Sequence, residues 1–478
     1  MKTFYITTSI MYANSQPHVG FALELIQGDV LARYYRLRGY ETRFLTGTDE
    51  HGTTVVRAAE KQGKEPRELV DEVASRVQEL AQKLNVSNDD FIRTTDQKRH
   101  WPGAVKIWKS LEAAGALYKK EYEGLYCVGH EAFIKKTELE DGKCPLHKTD
   151  PEVVTEENWF FKLSEYKDQV RKRIEKDELR IVPATRKQEI LNLFNDAEDV
   201  SFSRPSKDLS WGIPVPGDES QTMYVWADAL TNYISALGYG TDDALMHFWP
   251  ADIHLIGKDI LRFHAMIWPA MLLAAGLELP KAIYVHGFIT VDGQKMSKTI
   301  GNVIDPFELL EKNNTDVVRY FLLREIPSGD DGDFSRGNLH ARYNSDLANG
   351  LGNFTARVLT LAQKETFLGN EKVAENVDQK IKEIKKAVEE SVNGFKLHEA
   401  LGHIWELLAF GDAYVNETQA WKQEDKNIIF SLVSLLDNVA SLLQPFMPET
   451  AKKITERIAW EGDRLTIKPG EVLFPRRT

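Results

Sequence analysis

Short β-rich runs alternate with longer helical patterns over the first part of the chain. Phe4, Tyr5 and Ile6 make an apolar run between Lys2 and Thr8; after a polar turn through Asn14 to Pro17, a helical pattern extends from about Val19 to Arg38. Glu41 to Leu45 repeats the strand pattern, ends at Gly47-Thr48-Asp49-Glu50-His51-Gly52, and gives way to another helix from about Val55. Strands alternating with helices predict a parallel sheet of nucleotide-binding type, whose ligands gather at the carboxyl ends of the strands. The polar clusters around His18 and Asp49 both fall at such ends.

Between about Ala116 and Met223 the pattern breaks into short segments punctuated by Gly, Pro and charge, which reads as an insertion. The βα pattern resumes with Tyr224 to Ala227, Ile253 to Ile256 and Ile283 to Val285, so the sheet is expected to be completed after the interruption. Beyond about Gly337 no strand is predicted before the tail. Ile381, Ile384, Val388, Val392 and Phe395, then Ile428, Leu432, Leu435, Val439 and Leu442, keep three-and-four spacing and predict a closing helical bundle. The predicted partition is 1–115 and 224–285 for the two halves of the sheet domain, 116–223 for the insertion, 286–340 for a loop and linker, and 341–478 for the bundle.

At 478 residues the chain is too long for one core, and 42% apolar with 28% charged residues excludes disorder and fibre. Sixty Lys and Arg against 72 Asp and Glu leave a net charge of −12, so any nucleic-acid partner must meet a local basic face. The longest strongly apolar stretch, Ala265 to Leu277, is interrupted by Pro269 and is shorter than the roughly 20 residues that cross a bilayer. The opening MKTFYITTSI lacks a continuous apolar signal segment. A cytoplasmic protein without membrane association is expected.

Three constellations carry chemistry. His18-Val19-Gly20-Phe21 opens the first helix, where free backbone N–H groups and the helix dipole favour phosphate. Lys295-Met296-Ser297-Lys298-Thr299, bounded by Gly293 and Gly301, makes a hinged cationic loop able to close over a triphosphate. Cys127-Val-Gly-His130 and Cys144-Pro-Leu-His147, two CxxH clips separated by 13 residues, provide four ligands of the kind tetrahedral zinc requires. Four protein ligands leave no open position, which makes that metal structural.

His18 to Phe21 resembles the HIGH signature, and Lys295 to Thr299 the KMSKS signature, of class I aminoacyl-tRNA synthetases. GTDEHG at Gly47, VWADALTNY at Val225, GKDILRFHAMIWPAML at Gly257 and HGFITVDGQKMSK at His286 are similar to the methionyl-tRNA synthetase family, over about Lys2 to Trp421. The resemblance implies an α/β Rossmann-type catalytic domain with a zinc-binding connective insertion, followed by an α-helical bundle anticodon-binding domain. It also implies ATP-dependent activation of L-methionine and transfer to initiator and elongator methionine tRNA, with magnesium accompanying ATP and one structural zinc. A sister class I synthetase for another amino acid and a non-catalytic tRNA-binding paralogue are the competing readings. The pocket residues disfavour the first, and retention of His18 and both lysines the second.

The site residues implied by the resemblance fall into three groups. His18, Gly20, Lys295 and Lys298 serve catalysis, and with Phe21 and Ser297 they hold ATP. A flexible, uncharged thioether calls for a snug aromatic pocket with one carboxylate for the ammonium group. By resemblance the pocket comprises Ile10, Tyr12, Trp226, Ala229, Leu230, Tyr233, His264 and Trp268, with Asp49 for the ammonium and Asp259 as further polar support. Asn353, Arg357 and Trp421 read the CAU anticodon, with Trp421 expected later on the helix after Tyr414. Phe21 stands where the first signature usually has its last histidine, Thr299 where serine is usual, Ala420 where proline is common, and His130 where such knuckles more often have cysteine. The insertion is too short to hold both a zinc knuckle and a large editing domain, and the chain ends without an appended dimerisation domain; a monomer is expected.

Overall fold

The computed structural model describes residues 2–129, 132–134, 136–296, 301–365, 367, 371–422, 425–461 and 464–477. The predicted site residues His130, Ser297 and Lys298 lie outside them. The chain divides into two compact units, one of Met1–Pro17, Tyr35–Gln82 and Val86–Val285, the other of His18–Tyr34, Lys83–Asn85 and His286–Thr478.

The first unit is built on a seven-stranded sheet. Its strand order is Met11–Tyr12, Glu41–Asp49, Thr3–Thr8, Ile253–Gly257, Ala282–His286 and Arg180–Val182, with Asp90–Arg93 also paired to Glu41–Asp49. The central strand is covered on both faces, as parallel sheets require, and Tyr5, Ile6, Thr7 and Thr8 are fully buried. Its hydroxyls are satisfied laterally: Thr8 Oγ1 donates to Thr46 Oγ1 at 2.8 Å. Tyr12 pairs with Asp49 in register, which brings these two predicted site residues together at one sheet end.

The insertion forms a long antiparallel ribbon, Leu117–Cys127 against Glu152–Phe161, with Ala132–Ile134 and Val200–Ser201 at its edges. Helices Leu163–Glu175 and Ala184–Leu193 follow, and Arg180–Val182 between them pairs in parallel with Ala282–His286. Tyr224 to Ala227, expected as a strand, is a correction: the strand is Asp218–Met223, and Val225–Ala229 is helical. Val and Trp favour strands locally. Here Tyr224 N donates to Phe202 O as the last ladder contact, then Asp228 N bonds to Tyr224 O and closes a helical turn that carries Asp228 into the core.

In the second unit the helices Asn353–Ala362, Glu375–Asn393, Leu397–Glu417, Lys426–Leu443 and Pro448–Thr455 make the bundle, followed by the hairpin Ile458–Glu461 and Arg464–Ile467. The expected seam residues Ile381, Ile384, Val388, Val392, Leu432, Leu435 and Val439 are buried. Ile428 and Leu442 are only partly buried, their neighbours Ile429 and Leu443 taking the core positions, and Phe395 lies past the helix end with φ +58°. Lys426–Leu443 is long and apolar enough to span a membrane by composition, and half of it is buried within the protein. A buried pair anchors segment 18–34: Arg319 Nη2 meets Asp29 Oδ2 at 2.7 Å, while its guanidinium also donates to the carbonyls of Phe446, Pro445 and Leu84. Each of the three guanidinium nitrogens thereby has a partner, the kind of satisfaction under which a buried pair is tolerated.

Candidate active site and tRNA-reading residues

In the first unit most of the residues expected around the thioether gather in a buried aromatic cluster. Tyr233, His264 and Trp268 are buried, as are Ala229 and Leu230. Trp226 stacks on Phe263 with centroids 3.8 Å apart and planes 5° apart, and meets His264 edge-on at 6.2 Å. The hydrogen bonds fix each tautomer. His264 Nδ1 lies 3.0 Å from the Ile260 carbonyl, an acceptor only, so Nδ1 carries the proton and Nε2 accepts from the Tyr233 hydroxyl at 2.7 Å. Trp268 Nε1 can only donate, so His254 Nε2 accepts it at 3.3 Å and His254 Nδ1 donates to Thr7 Oγ1 at 2.8 Å.

Both imidazoles are neutral. Burial brings His264 down to about 4 against the smaller opposing pull of the Ile260 carbonyl. Burial, aided by His264, holds His254 well below its usual range. The cluster therefore offers polarisable surface without charge on its two imidazoles, of the kind that suits an uncharged side chain. Ile10 and Tyr12 are partly buried against the same core, and Asp49 is buried at the end of Glu41–Asp49. Asp259 is exposed on the short turn Lys258–Ile260, just past the strand Ile253–Gly257.

Sequence reasoning missed Phe263 and His254 as members of this aromatic cluster, and it missed Asp228. That carboxylate is fully buried between two imidazoles, His51 Nδ1 at 2.6 Å and His100 Nε2 at 2.7 Å. Burial pushes the Asp228 carboxyl up, but the facing histidines outweigh it and hold it below its ordinary value. The cluster joins the segment after Asp49 to the helix that carries Trp226 and Ala229. GTDEHG and VWADAL each carry one of its members, yet nothing in their sequence spacing shows that they meet.

In the second unit, His18 is exposed just before the helix Val19–Leu37. Gly20 N donates to His18 Nδ1 at 3.1 Å, which leaves the ring proton on Nε2. A Cβ on Gly20 would lie 2.9 Å from His18 Cε1, so glycine is what allows the ring to fold over this turn. Phe21 is buried, at 6% exposure. The cationic segment begins on a hairpin, Ile289–Val291 against Gln294–Lys295, in which Lys295 pairs with Thr290.

At the tip of the insertion the Cys127, Cys144 and His147 ligand atoms lie within 4.8 Å of one another. The two cysteines are not joined in a disulfide, and His147 Nδ1 is 3.7 Å from Cys127 Sγ and 3.6 Å from Cys144 Sγ. His147 N also donates to Cys144 Sγ at 3.5 Å. Two sulfurs and an imidazole at these spacings fit a tetrahedral ion with metal–sulfur bonds of about 2.3 Å. Ile134 shares this small core, with Leu125, Leu139 and Leu146 packed around it.

In the bundle, Asn353 is exposed and Arg357 half-buried one turn on. Arg357 bonds to Asp412 Oδ1 at 3.1 Å and Asn416 Oδ1 at 3.0 Å, both on Leu397–Glu417. Trp421 is 52% exposed. It sits on the separate turn Ala420–Lys422, a correction to the expectation of a continuous helix, since that helix ends at Glu417.

A family model described as tRNA synthetases class I (M) matches residues 4–145 and 134–359, and one described as the anticodon-binding domain of tRNA ligase matches 375–470. With the parallel sheet and the helical bundle, these matches define a class I aminoacyl-tRNA synthetase. The methionine–tRNA ligase of Caldanaerobacter subterraneus subsp. tengcongensis is 42% identical over 99% of this chain and 79% of its own length. That of Brucella suis is 42% identical over 97% and 93%, respectively. The structure of Mycobacterium tuberculosis methionyl-tRNA synthetase in complex with methionyl-adenylate superposes with a TM-score of 0.93 at 37% identity, covering 100% of both chains. The chain belongs to the methionyl-tRNA synthetases, which activate methionine with ATP and transfer it to tRNA.

Proposed function

We propose the following division of labour among its residues. The methionine side chain enters the pocket of Ile10, Tyr12, Trp226, Ala229, Leu230, Tyr233, His264 and Trp268, and Asp49 holds the ammonium group with Asp259 as outer polar support. The methionine carboxylate attacks the α-phosphorus of ATP directly and pyrophosphate leaves, so no protein nucleophile is required. His18, through Nε2–H, and the cations Lys295 and Lys298 neutralise charge on the phosphates. Gly20, Phe21 and Ser297 complete the nucleotide site. Magnesium, arriving with ATP, supplies further charge neutralisation at the triphosphate. The methionyl group then passes to the terminal ribose of initiator or elongator methionine tRNA, whose CAU anticodon is read by Asn353, Arg357 and Trp421.

Cys127, His130, Cys144 and His147 would hold one zinc, which stabilises the insertion fold. The enzyme acts as a monomer in the cytoplasm, with catalytic halves 1–115 and 224–285, insertion 116–223, loop and linker 286–340, and anticodon domain 341–478. One observation supports the substrate assignment: the buried cluster of Tyr233, His254, His264 and Trp268, in which every imidazole nitrogen is engaged by Tyr233, Ile260, Trp268 or Thr7, so that the rings present uncharged, polarisable surface. Amino-acid-dependent ATP–pyrophosphate exchange across a panel of amino acids is the test. Exchange with methionine alone is expected, and exchange driven by a different amino acid overturns the assignment.

A further inference from the structure

The entry of the cationic segment is framed by a three-stranded sheet within the second unit. Its middle strand, Ile289–Val291, pairs antiparallel with Gln294–Lys295 and parallel with Gly332–Phe334. Thr290 faces Lys295 on one side and Asp333 on the other. The hairpin closes through a two-residue turn, Asp292 at φ +50° and Gly293 at φ +75°, the Asp-Gly arrangement whose twist suits paired strands. Aspartate tolerates the left-handed region, and this turn is in addition tied down from outside.

Asp333 provides the tie. One carboxylate oxygen, Oδ1, accepts from the Gly293 N–H at 2.7 Å and from Thr290 Oγ1 at 2.6 Å, tying the turn to the strand before it. Asp292 N donates to Phe334 O at 3.2 Å, and Asp331 Oδ1 takes the Phe288 N–H at 2.8 Å. Asp333 alone among these acceptors holds the glycine from which the chain turns toward Lys295. A small rotation at Gly293 is carried along the hairpin arm to the lysine, and a misplacement of about 1 Å in a charged group can cost on the order of a hundredfold in rate.

We propose that Asp333 is a positioning residue for methionine activation: it fixes the Asp292–Gly293 turn and thereby the place of Lys295 on the hairpin arm. The proposal rests on the reading of Lys295 as a phosphate-neutralising cation. It assigns Asp333 no contact with substrate, and it requires an acceptor oxygen rather than a negative charge.

The test measures single-turnover adenylate formation, with methionine affinity taken from a tryptophan-fluorescence titration. Asp333→Ala is expected to slow adenylation about tenfold or more while methionine affinity stays within about twofold. Asp333→Asn, which keeps the accepting oxygen, should retain most of the rate. In a Lys295→Ala background, Asp333→Ala should add less than about twofold, because the group it positions is already gone. Losses that multiply in the double variant, or an Asp333→Asn as slow as Asp333→Ala, overturn the proposal. If Lys295→Ala slows the reaction and Asp333→Ala does not, the proposal fails and the reading of Lys295 stands; an unchanged Lys295→Ala sinks both. Should Asp333→Ala not fold, Gly293→Ala strains the same turn from its other side and is held to the same rate, affinity and double-variant criteria.

Discussion

Gly20 donates its backbone N–H to Nδ1 of His18 across 3.1 Å, and by doing so selects which imidazole nitrogen keeps the proton. The glycine is both the hydrogen-bond donor and the gap into which the ring folds. Gly20→Ala would set a Cβ 2.9 Å from Cε1 and 3.0 Å from Nδ1 of that ring, forcing it to swing away. Alanine otherwise favours a helix over glycine by roughly 0.5–1 kcal/mol, so the variant should melt no lower than the parent. Pyrophosphate exchange should nevertheless fall by about tenfold or more. Unchanged exchange in a well-folded Gly20→Ala would remove His18 from the chemistry.

The neutral histidines make a pH prediction. An unfolded His264 takes up its proton around 6.5, whereas the buried ring refuses it until about 4, so the unfolded state binds more protons between those values. Stability is therefore full above pH 6.5 and declines as pH falls toward 4. Moving from pH 7 to pH 5 should cost about 2 kcal/mol through this residue. Urea unfolding of the parent and of His264→Gln at both pH values isolates the effect: the variant should lose about 2 kcal/mol less. Equal losses in the two proteins would refute it.

The insertion tip gives a metal prediction. Purified protein should carry about one zinc per chain, and Cys144→Ala should lose it. Atomic absorption on both preparations decides this, and full occupancy in Cys144→Ala would contradict the ligand set. Limited proteolysis should then cut the variant first near the ribbon tip, since Ile134, Leu125, Leu139 and Leu146 share a core with the thiols too small to persist without a cross-link.

Trp421, half exposed, is the ring proposed to stack on the anticodon, and its loss should be felt only when tRNA is present. Stacking of a base on an aromatic is worth about 1–3 kcal/mol, so Trp421→Ala should reduce aminoacylation about tenfold or more. Methionine-dependent pyrophosphate exchange should remain near the parent value. Equal loss of both reactions would mean that the bundle has been disturbed. Arg357→Ala is a harsher change, because it also strands Asp412, whose carboxyl burial already pushes up against the pull of that same arginine.

How far the sequence could be read depended on whether a residue acts through its neighbours in the chain or across space. The paired CxxH clips, the His-x-Gly turn and the helical seam through Ile381, Ile384 and Val388 are local patterns, and the residues of each that the structure describes lie together. Asp228 contacts His100 and His51, which are 128 and 177 positions away, and Tyr233 finds His264 31 residues on. No periodicity encodes such meetings. Val225-Trp226 misled for a related reason: strand propensity was overruled by the need of Asp228 to reach its two histidines.

The interrupted sheet has a consequence for the making of the protein. Ile6 takes its place beside Ile253 only after the whole insertion has been translated, although its other neighbour, Phe44, is available almost at once. At a ribosomal pace of about 5–20 residues per second, one edge of that strand waits roughly 12–50 seconds for its partner. During that time the nascent chain presents a row of unpaired N–H and C=O groups flanked by Phe4, Tyr5 and Ile6, a template for pairing with the wrong strand. Codon choice across residues 7–252 sets the length of that exposure, so the speed at which the messenger is read there belongs to the folding of the first eight residues.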